Sequence, residues 1–205
     1  WGAVAYLSHS KYGINTEVRI NNNSNYLTGY SAVEGTDQSS YPGVSGTTSD
    51  ITLPYNTETG YKASTTGNIT GVYDMSGGAW EYVAGYMPSS SDASGFTSDE
   101  LITYSKYLDL YPNNSTMISY NNRILGDATG EMGPFYHYED NEGVNRYYNN
   151  WYKESPGFVE HTYPWFVRGG IYSHGFLTGQ FNFDGGTGGI YSHVASRIVL
   201  IPSKI

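Results

Sequence analysis

The side chains able to do chemistry are few, and their spacing is loose. Asp74 and Glu81 flank the Gly77-Gly78 pair, and Glu139, Asp140 and Glu142 make a second acidic group. Two carboxyls about 5–9 Å apart across a cleft would serve glycoside hydrolysis, but a turn-capping Asp74 and a structural Glu81 are the plainer reading. The five histidines, at 9, 137, 161, 174 and 193, never fall into H-E-x-x-H or another close ligand spacing, so each reads as a loop or core residue. Asp92, Asp99 and Asp109 lie in a polar stretch that reads as solvated loop rather than calcium site. The absence of cysteine excludes thiol nucleophiles, disulfides and cysteine-bound zinc. Neither a G-x-S-x-G elbow nor a phosphate-binding glycine loop occurs. No residue is singled out as catalytic, no metal site is assigned, and no cofactor is expected. Asn22, Asn68, Asn113 and Asn114 stand in N-x-[ST] sequons, which matter only in a glycosylating host.

The elements that would position any site are punctuated by glycine. Residues 1–12 read as a helix with Trp1, Val4, Ala5 and Leu7 on its apolar side and Gly13 as its stop, followed by a strand at Glu17 to Ile20. The Asn-, Ser-, Thr- and Gly-rich stretch 21–66 predicts long loops with one short strand near Ile51 to Leu53. Thr97 and Glu100 form a T-x-x-E capping box, predicting a second helix. Asn68 to Tyr82 reads as strand, tight turn, strand: Val72 and Tyr73 enter, Gly77 and Gly78 supply positive φ, and Trp80 and Tyr82 leave on one face. The hexapeptide Gly-Gly-Ile-Tyr-Ser-His occurs twice, at 169–174 and 188–193, suggesting two similar exposed segments.

Asn68-Ile-Thr-Gly-Val-Tyr-Asp-Met-Ser-Gly-Gly-Ala-Trp-Glu-Tyr82 resembles the N-x-x-G-[LV]-Y-D-M-x-G-x-x-W-E-[WY] signature of the formylglycine-generating-enzyme and sulfatase-modifying-factor family. Arg168 to Tyr172 is similar to that family's R-G-G-S-W, and Ala195 to Val199 stands in the place of its terminal G-F-R-L-V, with Ser196 where the pattern has Phe. Ala3 to Gly13 and Thr16 to Ile20 loosely resemble its opening helix and strand. The resemblance implies an α+β, C-type-lectin-like fold with short twisted antiparallel sheets, one or two helices and long glycine-rich loops, over a single domain of residues 1–205. It argues against the enzyme, because the family's oxidase needs a cysteine pair and the related sulfoxide synthases need an iron site built with a further N-terminal domain. Calcium bound near the corresponding turn in the enzyme branch is not expected here, since Gly78 replaces an asparagine and removes an oxygen ligand.

Arg168-Gly169-Gly170, Gly175, Gly179-Gln180-Phe181 and Arg197 are also similar to the fixed points of the retroelement-diversified variable proteins that share the lectin-like fold. That resemblance implies ligand contact at Ile171, Tyr172, Ser173, His174, Phe176, Leu177, Gln180, Asn182, Asp184 and Ile190, Tyr191, Ser192, His193. It assigns structural roles to Trp80, Glu81, Arg168, Gly169, Gly170 and Arg197, with Trp80 in the core and Arg168 bonded beneath the binding surface. Alternate residues in 171–183 could instead fill the core, as Phe181 and Phe183 are expected to. Arg123 to Ala128, Glu131 to Phe135 and Tyr163 to Phe166 resemble lectin-domain pilin-like surface proteins of gut Firmicutes, which implies that an N-terminal helix preceding Trp1 has been removed.

Composition narrows the partners. The 205 residues carry 19 acidic against 10 basic side chains, a net charge of −9 without a basic cluster, which disfavours nucleic acid and anionic membranes. No apolar run approaches a transmembrane helix, so no direct membrane insertion of this domain is expected. The 26 glycines and 22 tyrosines suit a recognition surface, since tyrosine joins rigid apolar area to a hydrogen-bonding hydroxyl. The expectation is an extracellular module, on a cell or virion surface, that binds a protein or glycan receptor. A filament subunit packing against neighbouring copies is the alternative, and a formylglycine-generating-type enzyme the remote one.

Overall fold

The computed structural model describes residues 1–21, 31–32, 52–124, 135–139, 145–149 and 154–197. The architecture is α+β, with few helices and a curled mixed sheet. Its elements are α1 (Gly2–Ser8), β1 (Ser31–Ala32), β2 (Thr52–Leu53), β3 (Trp80–Tyr86), α2 (Ser98–Thr103), β4 (Asp109–Leu110), β5 (Phe135–Glu139), β6 (Asn145–Asn149), β7 (Trp165–Gly169), β8 (Gly179–Gly186) and β9 (Val194–Ser196). The main sheet runs β4-β3-β7-β8, with β9 also on β3. One edge of β3 pairs antiparallel with β7; β9 and β4 pair parallel with its N- and C-terminal parts. The expected antiparallel sheet is therefore mixed. The pairs β1–β2 and β5–β6 are separate two-stranded ribbons.

Strand β7 is central because all five of its residues are buried. Phe166 meets Phe158 and Tyr111 edge-on, with centroids 4.9 and 5.1 Å apart, and Met87, Val159 and Phe183 complete this aromatic core. Gly85 lets β3 approach, since a Cβ there would lie 2.9 Å from the Phe166 ring. On the other side of β8, α1 packs its buried residues Gly2, Ala5 and Ser8. Tyr6 and His9 stand against Phe181 at 6.4 and 5.0 Å between ring centroids.

Local chemistry accounts for where the helices stop and start. The expected helix over 1–12 ends at Ser8, because Ser8 and Ser10 hydroxyls bond back to the carbonyls of Ala5 and Leu7 and the chain turns through His9 to Gly13. Leu7, expected on the apolar side, is exposed, while Ser8 faces inward. Helix α2 begins at the predicted capping box: Glu100 N–H donates to Thr97 Oγ1 at 3.3 Å and Thr97 N–H to Glu100 Oε2 at 2.7 Å. Glu17 to Ile20 is buried but forms no strand; Arg19 N–H donates to Lys62 O at 3.1 Å, and Asn21 bridges to Gly77. Val72 pairs in a loop with Thr65 rather than in a strand.

Candidate recognition site

The Gly77-Gly78 turn delivers Trp80 to the start of β3. Both glycines have positive φ, at 76° and 71°, and Gly77 N–H donates to Gly169 O at 3.0 Å, fastening the turn to the first hexapeptide. Asp74 shares this bend with φ 58°, and its backbone carbonyl accepts from Arg197 Nη2 at 3.3 Å. Glu81 is buried, and Arg197 Nε lies 2.5 Å from its carboxyl oxygens. Burial nevertheless pushes the Glu81 carboxyl above its ordinary range, more than Arg197 draws it down.

Both hexapeptides come together on Trp80. The His174 ring stands edge-on to the Trp80 indole, 5.7 Å between centroids, while Trp80 N–H donates to His193 O at 2.9 Å. Tyr172 N–H donates to Gly78 O at 3.0 Å, which anchors the 3-10 turn Tyr172–Leu177. Burial and the nearby His193 hold the His174 imidazole below its usual pKa.

Between the second hexapeptide and the sheet lies a pocket of about 200 Å³. Its walls are Trp80, Tyr82, Tyr163, Thr187, Tyr191 and His193, over a floor of Gly185 and Gly186. The floor must be glycine because the tyrosines lie on it: a Cβ would come 2.7 Å from Tyr163 Cβ at Gly185 and 2.9 Å from Tyr82 Cε1 at Gly186. Tyr82 Oη accepts from Gly188 N–H at 2.9 Å and donates to Gly189 O at 3.2 Å, and burial raises its pKa. Thr187 Oγ1 and Tyr191 Oη share a hydrogen bond at 3.0 Å. Tyr191 stacks on His193 at 5.7 Å and 23°. The hydroxyls thus brace the loop, and the aromatic faces and edges are what remain for a ligand. Of the lining residues Tyr191 and Tyr163 are 46% and 45% exposed, and Ile190, next to Tyr191 in the chain, is 102% exposed.

No protein-family model, no curated protein and no solved structure matches this chain. Among the described residues no group of three or more His, Cys, Asp or Glu could hold a metal ion. Among the same residues no helix is long and apolar enough to cross a membrane.

The residues expected to contact ligand divide sharply. Ser173, His174, Ile190, Tyr191 and Ser192 are exposed; Ile171, Tyr172, Leu177 and His193 are half-buried. Gln180 and Asn182 do not point outward: both are wholly buried. Ser8 Oγ bonds Gln180 Oε1, and Asn182 Nδ2 bonds Leu177 O, each at 2.5 Å, so both amides are internal ties. Asp184 turns its carboxyl in against Gly157, accepts from Gly185 N–H at 2.8 Å, and is pushed by burial to about 6. Phe176 lies in the Tyr172–Leu177 turn, but its side chain is outside the described residues, as are Asp140, Glu142, Asn22, 125–134 and 198–199.

Arg168 is fully buried beneath this face, its Nη2 donating to Gln180 O at 3.0 Å and its guanidinium 5.5 Å from the Trp1 ring. Gly169 and Gly170 follow it with φ of 86° and 76°. Sequence reasoning missed Tyr163 and Thr187, which reach the pocket through strand pairing and a loop. It also missed Glu17 and Glu154, two buried carboxyls brought together from opposite ends of the chain.

Proposed function

We propose that this chain is a non-enzymatic, extracellular recognition module of C-type-lectin-like fold, binding a protein or glycan receptor through the Trp80–Tyr191 pocket and Ile190. The observation that carries this reading is an aromatic pocket braced by its own hydroxyls, two of whose lining residues, Tyr163 and Tyr191, are exposed, with the fully exposed Ile190 next to Tyr191 in the chain. Exposed apolar side chains on a rigid frame mark binding surfaces. The pocket lining contains no carboxylate, amine or guanidinium, which favours recognition by stacking and apolar contact. The test is to probe the full chain against a glycan array and a panel of surface proteins. The same probe is then run with Ile190→Ser/Tyr191→Ser. Loss of every positive signal at an unchanged melting temperature supports the reading, and retained binding refutes it.

A filament subunit is the second reading, favoured by a different face. Helix α2 has no buried residue, and Phe96, Ile102, Tyr104 and Tyr107 around it are all exposed. Concentration-dependent assembly in sedimentation, abolished by Ile102→Ser/Tyr107→Ser but not by the pocket substitutions, would favour this second reading.

A further inference from the structure

Glu17 and Glu154 lie in the interior behind the recognition face, each nearly inaccessible, at 3% and 1% exposure. The two carboxyls lie close enough to act on each other. Each carboxyl also takes one of two successive amides at the start of β8. Gln180 N–H donates to Glu17 Oε1 at 3.2 Å and Phe181 N–H to Glu154 Oε2 at 2.7 Å. Val18 N–H adds a second donor to Glu17 Oε1 at 3.2 Å. The outer oxygens, Glu17 Oε2 and Glu154 Oε1, meet no amide or hydroxyl donor. Gly179 is what admits the pair, since a Cβ there would lie 2.1 Å from Glu154 Cδ.

The surrounding charges fix how many protons this cluster needs. Arg168, from β7, attracts Glu154. His9, just after α1, places Nε2 3.6 Å from Glu17 Oε2, but burial lowers its pKa and so favours its neutral form. Arg19, Glu58 and Lys62 line, with Glu17, a groove of about 590 Å³ on the outer side. Two bare carboxylates held close together in a buried site repel strongly, and the buried guanidinium balances one of them. One proton between the two carboxyls relieves the repulsion and supplies the donor that both outer oxygens lack.

The pair is also connected to the recognition face. Ser155 N–H, next to Glu154, donates to Leu177 O at 3.0 Å, and Asn182 Nδ2 bonds the same carbonyl. We propose that Glu17 and Glu154 share a single proton and form a latch on the start of β8, which loosens, together with the Tyr172–Leu177 turn, when that proton is lost on alkalinisation.

The direction follows from linkage. Burial lifts Glu17 from its ordinary 4.5 to about 7 and Glu154 well above its ordinary value. The folded chain therefore binds more protons than the unfolded chain between those limits. The latch contributes fully below pH 4.5 and is lost as pH rises from about 7 upward, Glu154 holding its proton longest. His9 acts in the opposite sense: its contribution is full above its ordinary 6.5 and is lost as pH falls below it.

The experiment is amide hydrogen exchange on the full chain between about pH 5 and pH 8.5, corrected for intrinsic rates and referenced to the Phe166 amide. Protection of Gln180 and Phe181 is expected to fall about tenfold or more across that range in the native protein. In Glu154→Gln, whose carboxamide has no proton to lose, the slope should flatten at Phe181, while Gln180, bonded to Glu17, keeps part of it. A constant protection ratio in the native protein, or an unchanged slope at Phe181 in Glu154→Gln, overturns the proposal. Should the variant fail to fold, infrared spectroscopy of the native protein decides. A protonated-carboxyl C=O band present near neutrality and lost at about pH 8.5 is expected, and its absence near neutrality overturns the latch.

Discussion

His174 stands edge-on to Trp80, 5.7 Å between ring centroids at 81°, while the second hexapeptide reaches the same residue by its backbone, through His193 O. Two copies of one short sequence thus meet at a single tryptophan, one by side chain and one by main chain. The consequence is that Trp80 supports both halves of the proposed recognition face at once.

Replacing Trp80 should therefore destabilise the fold and disorder the face together. The residue is 7% exposed, and truncating a buried tryptophan to alanine costs about 3–5 kcal/mol. Thermal unfolding of Trp80→Ala should show a fall of that size. A melting temperature equal to the native value would place the indole outside the core.

Arg197 and Glu81 should behave as a coupled pair. Arg197 also donates from Nη2 to Tyr73 O at 2.8 Å, so removing it strands a buried carboxyl and a carbonyl. Arg197→Ala is expected to cost about 2 kcal/mol, less than a fully buried pair because the guanidinium is partly exposed. Glu81→Gln in the Arg197→Ala background should recover part of that loss. A double-mutant cycle with no coupling energy would show the two to be independent.

Asp184 gives a pH dependence of definite sign. Its carboxyl is raised from 3.8 to about 6, mainly by burial and further by Glu160, so its contribution is full below pH 3.8 and is lost as pH rises through about 6. Asp184→Asn should match the native protein in acid and melt higher at neutral pH, where the native residue carries a buried charge. Parallel melting curves for the two proteins across this range would contradict the assignment.

Local features were legible in the sequence and long-range ones were not. The capping box from Thr97 to Glu100 is four residues of self-contained chemistry, and it forms as the sequence suggests. The positive φ angles of Gly77 and Gly78 likewise follow from residue type. The alternation in Gln180-Phe181-Asn182-Phe183 suggested polar residues facing out, but the β7–β8 register shifts at this stretch, Phe181 meets His9 and Phe183 meets Phe166, and all four side chains are buried. Gln180 and Asn182 are accommodated only because Ser8 and the Leu177 carbonyl bond them. Glu17 and Glu154 carry no mark of their meeting, because each belongs to an irregular segment whose partner is chosen by the sheet between them.

The backbone entering the first hexapeptide should tolerate no side chain at Gly170. Its φ is 76°, and a Cβ there would lie 2.5 Å from Thr178 Cγ2, which is itself buried. Gly170→Ala is expected to cost about 1–3 kcal/mol and to perturb the Tyr172–Leu177 turn. An unchanged melting temperature would mean that this bend is not needed.

The central claim is that the aromatic pocket and Ile190 bind a receptor, and direct affinity measurement tests it. Once a glycan or protein ligand has been identified with the full chain, titration calorimetry is run on the native protein, on Ile190→Ser/Tyr191→Ser and on Ile102→Ser/Tyr107→Ser. The account predicts that the first variant loses affinity at least about a hundredfold, more than 2.7 kcal/mol, with native melting behaviour, while the second binds as the native protein does. Native affinity in Ile190→Ser/Tyr191→Ser would contradict it.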